Sequence, residues 1–418
     1  MGTEDVRGLG HRRLATVAWM IATVALAGCV VDSVDDPSLK KSRRGQDSAE
    51  EETGSPERGA SASGDPSSDG SSGSYGFLPG TAKFRKRLTG ADLDTAQRWR
   101  VAGTDLGIPY VLENGSIGYL FGDTFGSAWP EEGNDWRSPV MLRSNVHPNA
   151  PGGIVFDSAA KVAGNGRAPE LFFNAHDTRK VWGNPPSEFT AIPNDGISFP
   201  ETKRQIISFM SVNHWDPNGL AMWRTGYAGL AYSDNGNDFV RLKDPIWPNN
   251  EANTDPFQMW TMQRDGEWVY VYSVRAGRQF GPMMLRRVHW TKMFYKEEYQ
   301  CWGKNGADWG WGPTCTPLFE GFIGEPSVRR LSDGTWAMTY LNTVIGSIVS
   351  RKATRPEGPW SNEKIQLTTL EEPALYGGFI HPWSTSKPND LHMMVSKWTR
   401  GPDGRSTAYH VSHYVGTL

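Results

Sequence analysis

Five times the chain repeats one short pattern, a polar or glycine-containing turn followed at once by an aliphatic or aromatic strand. Asn114-Gly115 precedes IGYLFGD, Lys203-Arg204-Gln205 precedes IISFMSV, Asp265-Gly266 precedes EWVYVYS, Asp333-Gly334 precedes TWAMTYL, and Asn389-Asp390 precedes LHMMVSK. Asn-Gly and Asp-Gly supply the positive φ that tight hairpin turns need. The later turns are separated by about 61, 68 and 56 residues, and residues 75–418 divided by five give nearly the same interval. That is the size of a four-stranded propeller blade with long loops. The spacing predicts an all-β domain, a five-bladed β-propeller over residues 75–418, with a pair of β-sandwiches as the alternative. Composition agrees: 47 Gly and 28 Pro punctuate short elements, 18 Trp favour strands, and no stretch sustains the apolar period of a long helix. The interval between the first and second turns, about 90 residues, exceeds a bare blade. It contains Gly164-Asn165-Gly166 and the Pro-rich WGNPPSEF, and reads as an insertion at the mouth of the channel.

Ahead of this domain the chain reads as an export signal and a tether. Arg7, Arg12 and Arg13 precede the apolar run Leu14 to Gly28, which ends in Leu26-Ala27-Gly28-Cys29. The pattern predicts a lipoprotein signal peptide over residues 1–28. Cys29 would then be lipidated and the protein held at the outer face of the plasma membrane; an uncleaved signal anchor is the alternative. From Asp32 to Ser74 there are 10 acidic and 5 basic residues, with Val34 and Leu39 the only large apolar side chains, and 15 of the 22 residues from Thr53 to Ser74 are Gly, Ser or Pro. Residues 29–74 are therefore expected to be the lipidated cysteine and a disordered linker. Cys301 and Cys315 remain as an even pair in an exported chain, most simply a disulfide, and closing that loop contributes roughly 3 kcal/mol. No histidine pair lies nearby to complete a zinc site, so neither metal nor cofactor is expected. A formal net charge of −3 offers no basic surface to displace counterions from phosphates, which excludes nucleic acid as a partner. A monomer is expected.

The stretch Gly103 to Phe125 reads as one hairpin: strand Asp105 to Leu112, turn Glu113 to Ser116, strand Ile117 to Asp123. With the turn centred between Asn114 and Gly115, Asp105 falls opposite Thr124 and beside Asp123, and cross-strand neighbours are only about 5 to 7 Å apart. Two carboxyls that close oppose simultaneous ionisation, so one keeps its proton to higher pH and the pair can divide acid and base or nucleophile roles. Glycoside hydrolysis requires that arrangement. The structural alternative is that one Asp caps a turn and the other binds backbone amides.

The string YLFGDTF, then Asp135-Trp-Arg-Ser-Pro-Val-Met-Leu-Arg-Ser144, Asp255-Pro-Phe-Gln-Met-Trp-Thr261, Ile323-Gly-Glu-Pro-Ser-Val-Arg329 and Tyr376-Gly-Gly-Phe-Ile-His-Pro382 resemble the DUF4185 family. That family includes the endo-D-arabinofuranases of glycoside hydrolase family 183, which are five-bladed propellers. The resemblance spans the folded part and implies endo-acting hydrolysis of α-D-arabinofuranosyl linkages in arabinogalactan and lipoarabinomannan of a mycobacterial-type wall. It also implies two essential aspartates, matched in motif by Asp105 and Asp123. A non-catalytic lipoprotein that binds cell-wall glycan through the same cleft is the rival reading, and a glycosidase for another sugar a third.

Further candidates come from the same strings. Glu325, held extended by Pro326, is a candidate for substrate binding or for tuning a pKa, against a salt bridge to Arg329 or Arg330. Asp255 is a mouth candidate, against a turn role. His381 could donate to a sugar hydroxyl, and Trp136, Trp260 and Trp383 could stack on furanose faces, although most tryptophans are expected in the core. The stretch Ser233 to Phe239 is similar to the Asp-box turn of sialidases and is expected to be a strand-joining turn.

Overall fold

A computed structural model of the chain describes residues 79–178, 188–215 and 221–418. The signal segment, Cys29 and the linker lie outside these residues. Those described hold twenty-one strands and one α-helix, α1 (Asp94–Trp99), and no helix among them is long and apolar enough to cross a membrane. The all-β expectation holds.

The strands form antiparallel meanders. The first is β2 (Gly103–Val111), β3 (Ile117–Phe125), β4 (Val140–Ser144) and β5 (Ser158–Ala159). The second is β6 (Thr190–Phe199), β7 (Arg204–Trp215), β8 (Trp223–Ser233) and β9 (Val240–Pro248). Next come β10 (Met259–Asp265), β11 (Trp268–Val274) and β12 (Phe280–His289), with the hairpin β13 (Gln300–Asn305) and β14 (Asp308–Gly312) attached to β12. Then follow β15 (Phe319–Arg330), β16 (Trp336–Asn342), β17 (Ser347–Ala353) and β18 (Lys364–Thr368). The last, β19 (Leu375–Ile380), β20 (Leu391–Arg400) and β21 (Ser406–Gly416), takes the first strand of the chain, β1 (Lys83–Arg87), onto the free edge of β21.

Hydrogen bonds gather these meanders into four sheets rather than five separate ones. The cause is local: β12 runs past the end of β11, and its residues Phe280 to Met283 pair with Phe322 to Phe319 of β15, fusing two meanders into one nine-stranded sheet. The leading strands β2, β6, β10, β15 and β19 pack against one another in that order, and β19 returns to β2. Among the described residues no sheet is closed by hydrogen bonds.

Where the leading strands meet, a buried ion pair ties four of them together. Asp195 of β6 accepts from both terminal nitrogens of Arg329 in β15 at 2.8 Å, and from the Thr261 hydroxyl and Met262 N–H of β10. Arg329 also donates to the Pro109 carbonyl of β2 at 2.8 Å. With both carboxylate oxygens and both terminal guanidinium nitrogens bonded, the pair meets the condition under which a buried ion pair is tolerated. Cys301 and Cys315 form a disulfide, Cα to Cα 4.7 Å, that joins β13 to the segment after β14. Ser233 to Phe239 is a turn between β8 and β9, closed by Asn235 Oδ1 accepting from the Asn237 and Asp238 N–H groups. The described part of the insertion folds back on α1: Gly166 N–H donates to the Arg98 carbonyl, and the Trp99 indole donates to the Gly164 carbonyl.

Candidate active site between the first hairpin and its neighbours

The hairpin places the two aspartates together by a route the strand alternation alone does not give. Its loop spans Leu112 to Ser116, with Leu112 N–H bonded to the Ser116 carbonyl, so Thr104 rather than Asp105 faces Thr124, their hydroxyls 2.7 Å apart. Asp105 falls in a bulge between the Thr104 and Leu106 pairs. Leu106 holds a left-handed φ of 67° there, and its N–H donates to Ser396 Oγ of β20 at 2.8 Å. The bulge lays the Asp105 carboxylate over Gly122, the residue before Asp123; a Cβ on Gly122 would lie 2.5 Å from Asp105 Oδ1. A bulge re-aims a side chain in this way at a small cost in pairing.

The two carboxyls have different surroundings. Tyr376 Oη donates to Asp105 Oδ2 at 2.9 Å, while Oδ1 is buried without a hydrogen-bond partner. Burial, reinforced by the negative charge of Asp123, pushes Asp105 up to about 8. Asp123 Oδ1 accepts from Trp136 Nε1 and from Thr190 Oγ1, each at 2.8 Å. Burial raises Asp123 too, but both hydrogen bonds and the nearby His176 oppose the rise by favouring the ionised form. Tyr409 joins the pair, donating to the Asp123 carbonyl at 3.1 Å and acting on the Asp105 carboxyl as well.

Other groups enclose them. Glu325 sits at a break in the β15 register with φ 36°, which turns it away from Arg329 and Arg330 and toward Arg278, whose Nε and Nη2 donate to its Oε1 at 2.9 and 2.5 Å. The alternative of a bridge to Arg329 or Arg330 is replaced by one to Arg278: Arg329 is held by Asp195, and Arg330 pairs with Asp265. Glu325 Oε2 is buried and unpartnered, and its charge is felt at Asp105. The Arg278 guanidinium lies 5.1 Å from the Tyr376 ring. Trp136 packs against His176, ring centroids 4.2 Å apart, and His176 hydrogen-bonds Glu170. Trp136, Glu170 and His176 also line a cleft of about 460 Å³ with the exposed Phe173. Leu106, Asp135, His176, Arg278 and Glu325 all hold left-handed φ without being glycine. Such strain collects where surrounding structure over-determines a functional geometry.

Four candidates are not brought to the pair. His381 is fully buried, its Nε2 2.9 Å from the Tyr119 hydroxyl and its Nδ1 accepting from Trp383 N–H, and burial holds its pKa well below the usual histidine range. It cannot reach a sugar hydroxyl. Trp260 is 1% exposed, with its indole donating to the Phe257 carbonyl, and is core rather than a stacking platform. Asp255 closes its own turn, its Oδ1 accepting from Phe257 N–H and Gln258 Nε2, and lines a different cavity. Trp383 stacks on His147 at 5.4 Å. Among the described residues no cluster of three or more His, Cys, Asp or Glu could hold a metal ion.

Tyr376, Tyr409, Thr190, Arg278, Glu170 and His176 were not singled out in the sequence. Tyr376 opens the very string that drew attention to His381, so its location was legible although its role was not. Glu170 and His176 lie in the insertion, where no periodic pattern marks them.

A family model described as "Domain of unknown function (DUF4185)" matches residues 90–414. Notoamide biosynthesis cluster protein J of Aspergillus sp. (strain MF297-2) is 56% identical over 340 residues, 81% of this chain and 90% of that protein. Notoamide biosynthesis cluster protein J' of Aspergillus versicolor is 55% identical over 343 residues, 80% of this chain and 92% of that protein. A crystal structure from Bacteroides ovatus ATCC 8483, described as a candidate hydrolase, is similar with a TM-score of 0.50 and 14% identity over 77% of this chain and 87% of that one, a likeness of fold alone.

Proposed function

The chain belongs to the DUF4185 family, and from that premise we propose that it is a glycoside hydrolase that cuts α-D-arabinofuranosyl linkages within a glycan chain. The observation that carries the reading is the buried carboxyl pair: Asp105, laid over Gly122 and pushed up to about 8 by burial and by the charge of Asp123, beside Asp123, which accepts two side-chain hydrogen bonds. Asp105 is the general acid that protonates the leaving glycosidic oxygen. Asp123 is the carboxylate that attacks the anomeric carbon or draws a proton from the attacking water. Tyr376 and the Arg278–Glu325 pair fix the Asp105 side, and Trp136 and Thr190 oppose the rise that burial gives Asp123 and keep it ionisable and oriented. The five meanders are read as five blades about a common axis, a reading that the ring of leading strands supports. Lipidation at Cys29 and a tether over residues 29–74, holding the hydrolase at the outer membrane face, belong to the same proposal.

The D-arabinofuranosyl substrate rests on the five motif strings. A second reading is favoured by the two relatives at 55 and 56% identity, both named as notoamide biosynthesis cluster proteins: the same carboxylates act on a small molecule rather than on a polysaccharide. Product analysis separates the two. Incubation of the purified chain with D-arabinan should release oligo-arabinosides; release of none, with turnover of a small aryl glycoside, would replace the first reading by the second. Turnover of neither would leave a glycan-binding protein.

A further inference from the structure

Away from the aspartates, a cavity of about 410 Å³ is lined by Phe257, Arg286, Lys296 and Tyr299 and walled on one side by the Cys301–Cys315 disulfide. Arg286 lies on β12 opposite Cys301 and is only 4% exposed. Its Nε and Nη2 are buried without a hydrogen-bond partner, and among the described residues no carboxylate forms an ion pair with it. The acidic neighbour, Asp255, spends its Oδ1 on Phe257 N–H and Gln258 Nε2. The guanidinium lies 4.0 Å from the Phe257 ring centroid and 4.7 Å from that of Trp260.

Aromatic rings satisfy the face of a guanidinium but not the N–H donors at its edge. A buried cation with unmet donors is costly, and native interiors rarely leave one so. Burial lowers Arg286 to about 10, which keeps it charged at neutral pH. Its planar fork matches the paired oxygens of a carboxylate or phosphate. Lys296, on the exposed rim, donates to the Ile246 carbonyl at 3.1 Å and adds a second positive charge.

We propose that this cavity is an anion-binding site, which takes the carboxylate or phosphate group of a small ligand against the Arg286 guanidinium that lines it, with Lys296 as the outer cation. The proposal is independent of the glycosidase reading, since it shares no residue with the proposed catalytic pair.

The test is calorimetric titration of the full chain with inorganic phosphate, D-glucuronate and, as a neutral control, D-glucose, followed in parallel by tryptophan fluorescence from the rings around Arg286. Saturable binding of phosphate, of glucuronate or of both, with none of glucose, is expected, and the preferred probe identifies the source of the oxyanion. Arg286→Met should abolish it, and Arg286→Lys should weaken it at least about tenfold, because the fork is lost while the charge stays. Lys296→Met, a rim change that leaves the core intact, should weaken it about threefold and decides the matter if Arg286→Met does not fold. Failure of both anions to saturate, or equal affinity in Lys296→Met and Arg286→Lys and wild type, would overturn the site.

Discussion

Asp105 and Asp123 are the same residue type in one hairpin, and what separates them is their partners. Asp105 is pushed up by burial and by the charge of Asp123, against Tyr376 and Tyr409; burial raises Asp123 too, but Trp136, Thr190 and His176 oppose that rise. The sign of the pH dependence follows. A general acid works only while protonated, and an ordinary aspartic acid loses its proton near pH 4, whereas Asp105 keeps it to about 8. The kcat/KM for arabinan should therefore hold through neutral pH and fall as pH rises through about 8; a fall complete by pH 5 would show that Asp105 is not the acid. The carboxylate pair was legible because two acidic residues flank one recognisable turn. Whether a neighbouring His or Trp points inward was not: His381 and Trp260 sit in strings of the right family but on the buried side of their strands, and burial is decided by strands distant in sequence.

At the scale of the element, the bulge in β2 is the feature that makes the site. The sequence located both strands and the Asn114-Gly115 turn, yet set Asp105 opposite Thr124 because it centred the turn between those two residues, whereas the loop from Leu112 to Ser116 is centred on Asn114. The bulge around Asp105 was not legible either: Leu106 takes a left-handed conformation there and bonds Ser396 of β20, a contact no local pattern announces. Gly122 on β3 is the counterpart, leaving room for the displaced carboxylate. Gly122→Ala should keep the fold, since the clash is with a side chain, but push Asp105 aside. A displacement near 1 Å costs about a hundredfold in turnover. Unchanged kcat with an unchanged melting temperature would mean that the position of Asp105 is unimportant.

Across the whole molecule, five turn-and-strand repeats announced five meanders, and their spacing survived because each meander needs about the same length of chain. The fusion of two of them through β12 and β15 was not foreseeable, since it depends on how far one strand overshoots its partner. Nor was the Asp195–Arg329 pair, which joins residues far apart in sequence and ties four of the leading strands. Arg329→Met should destabilise the protein by about 3–5 kcal/mol in a denaturant titration, because it leaves Asp195 buried without its counter-charge. A loss below about 1 kcal/mol would show that the pair does not hold the strands together. The central claim is chemical, however, and one measurement meets it directly: release of oligosaccharides from D-arabinan by wild type, Asp105→Asn and Asp123→Asn, with glycan binding followed alongside. Wild type should release them, and each substitution should remove at least about 10²-fold of the rate while leaving binding and melting temperature in place. Wild-type turnover in either variant would contradict the assignment of the pair.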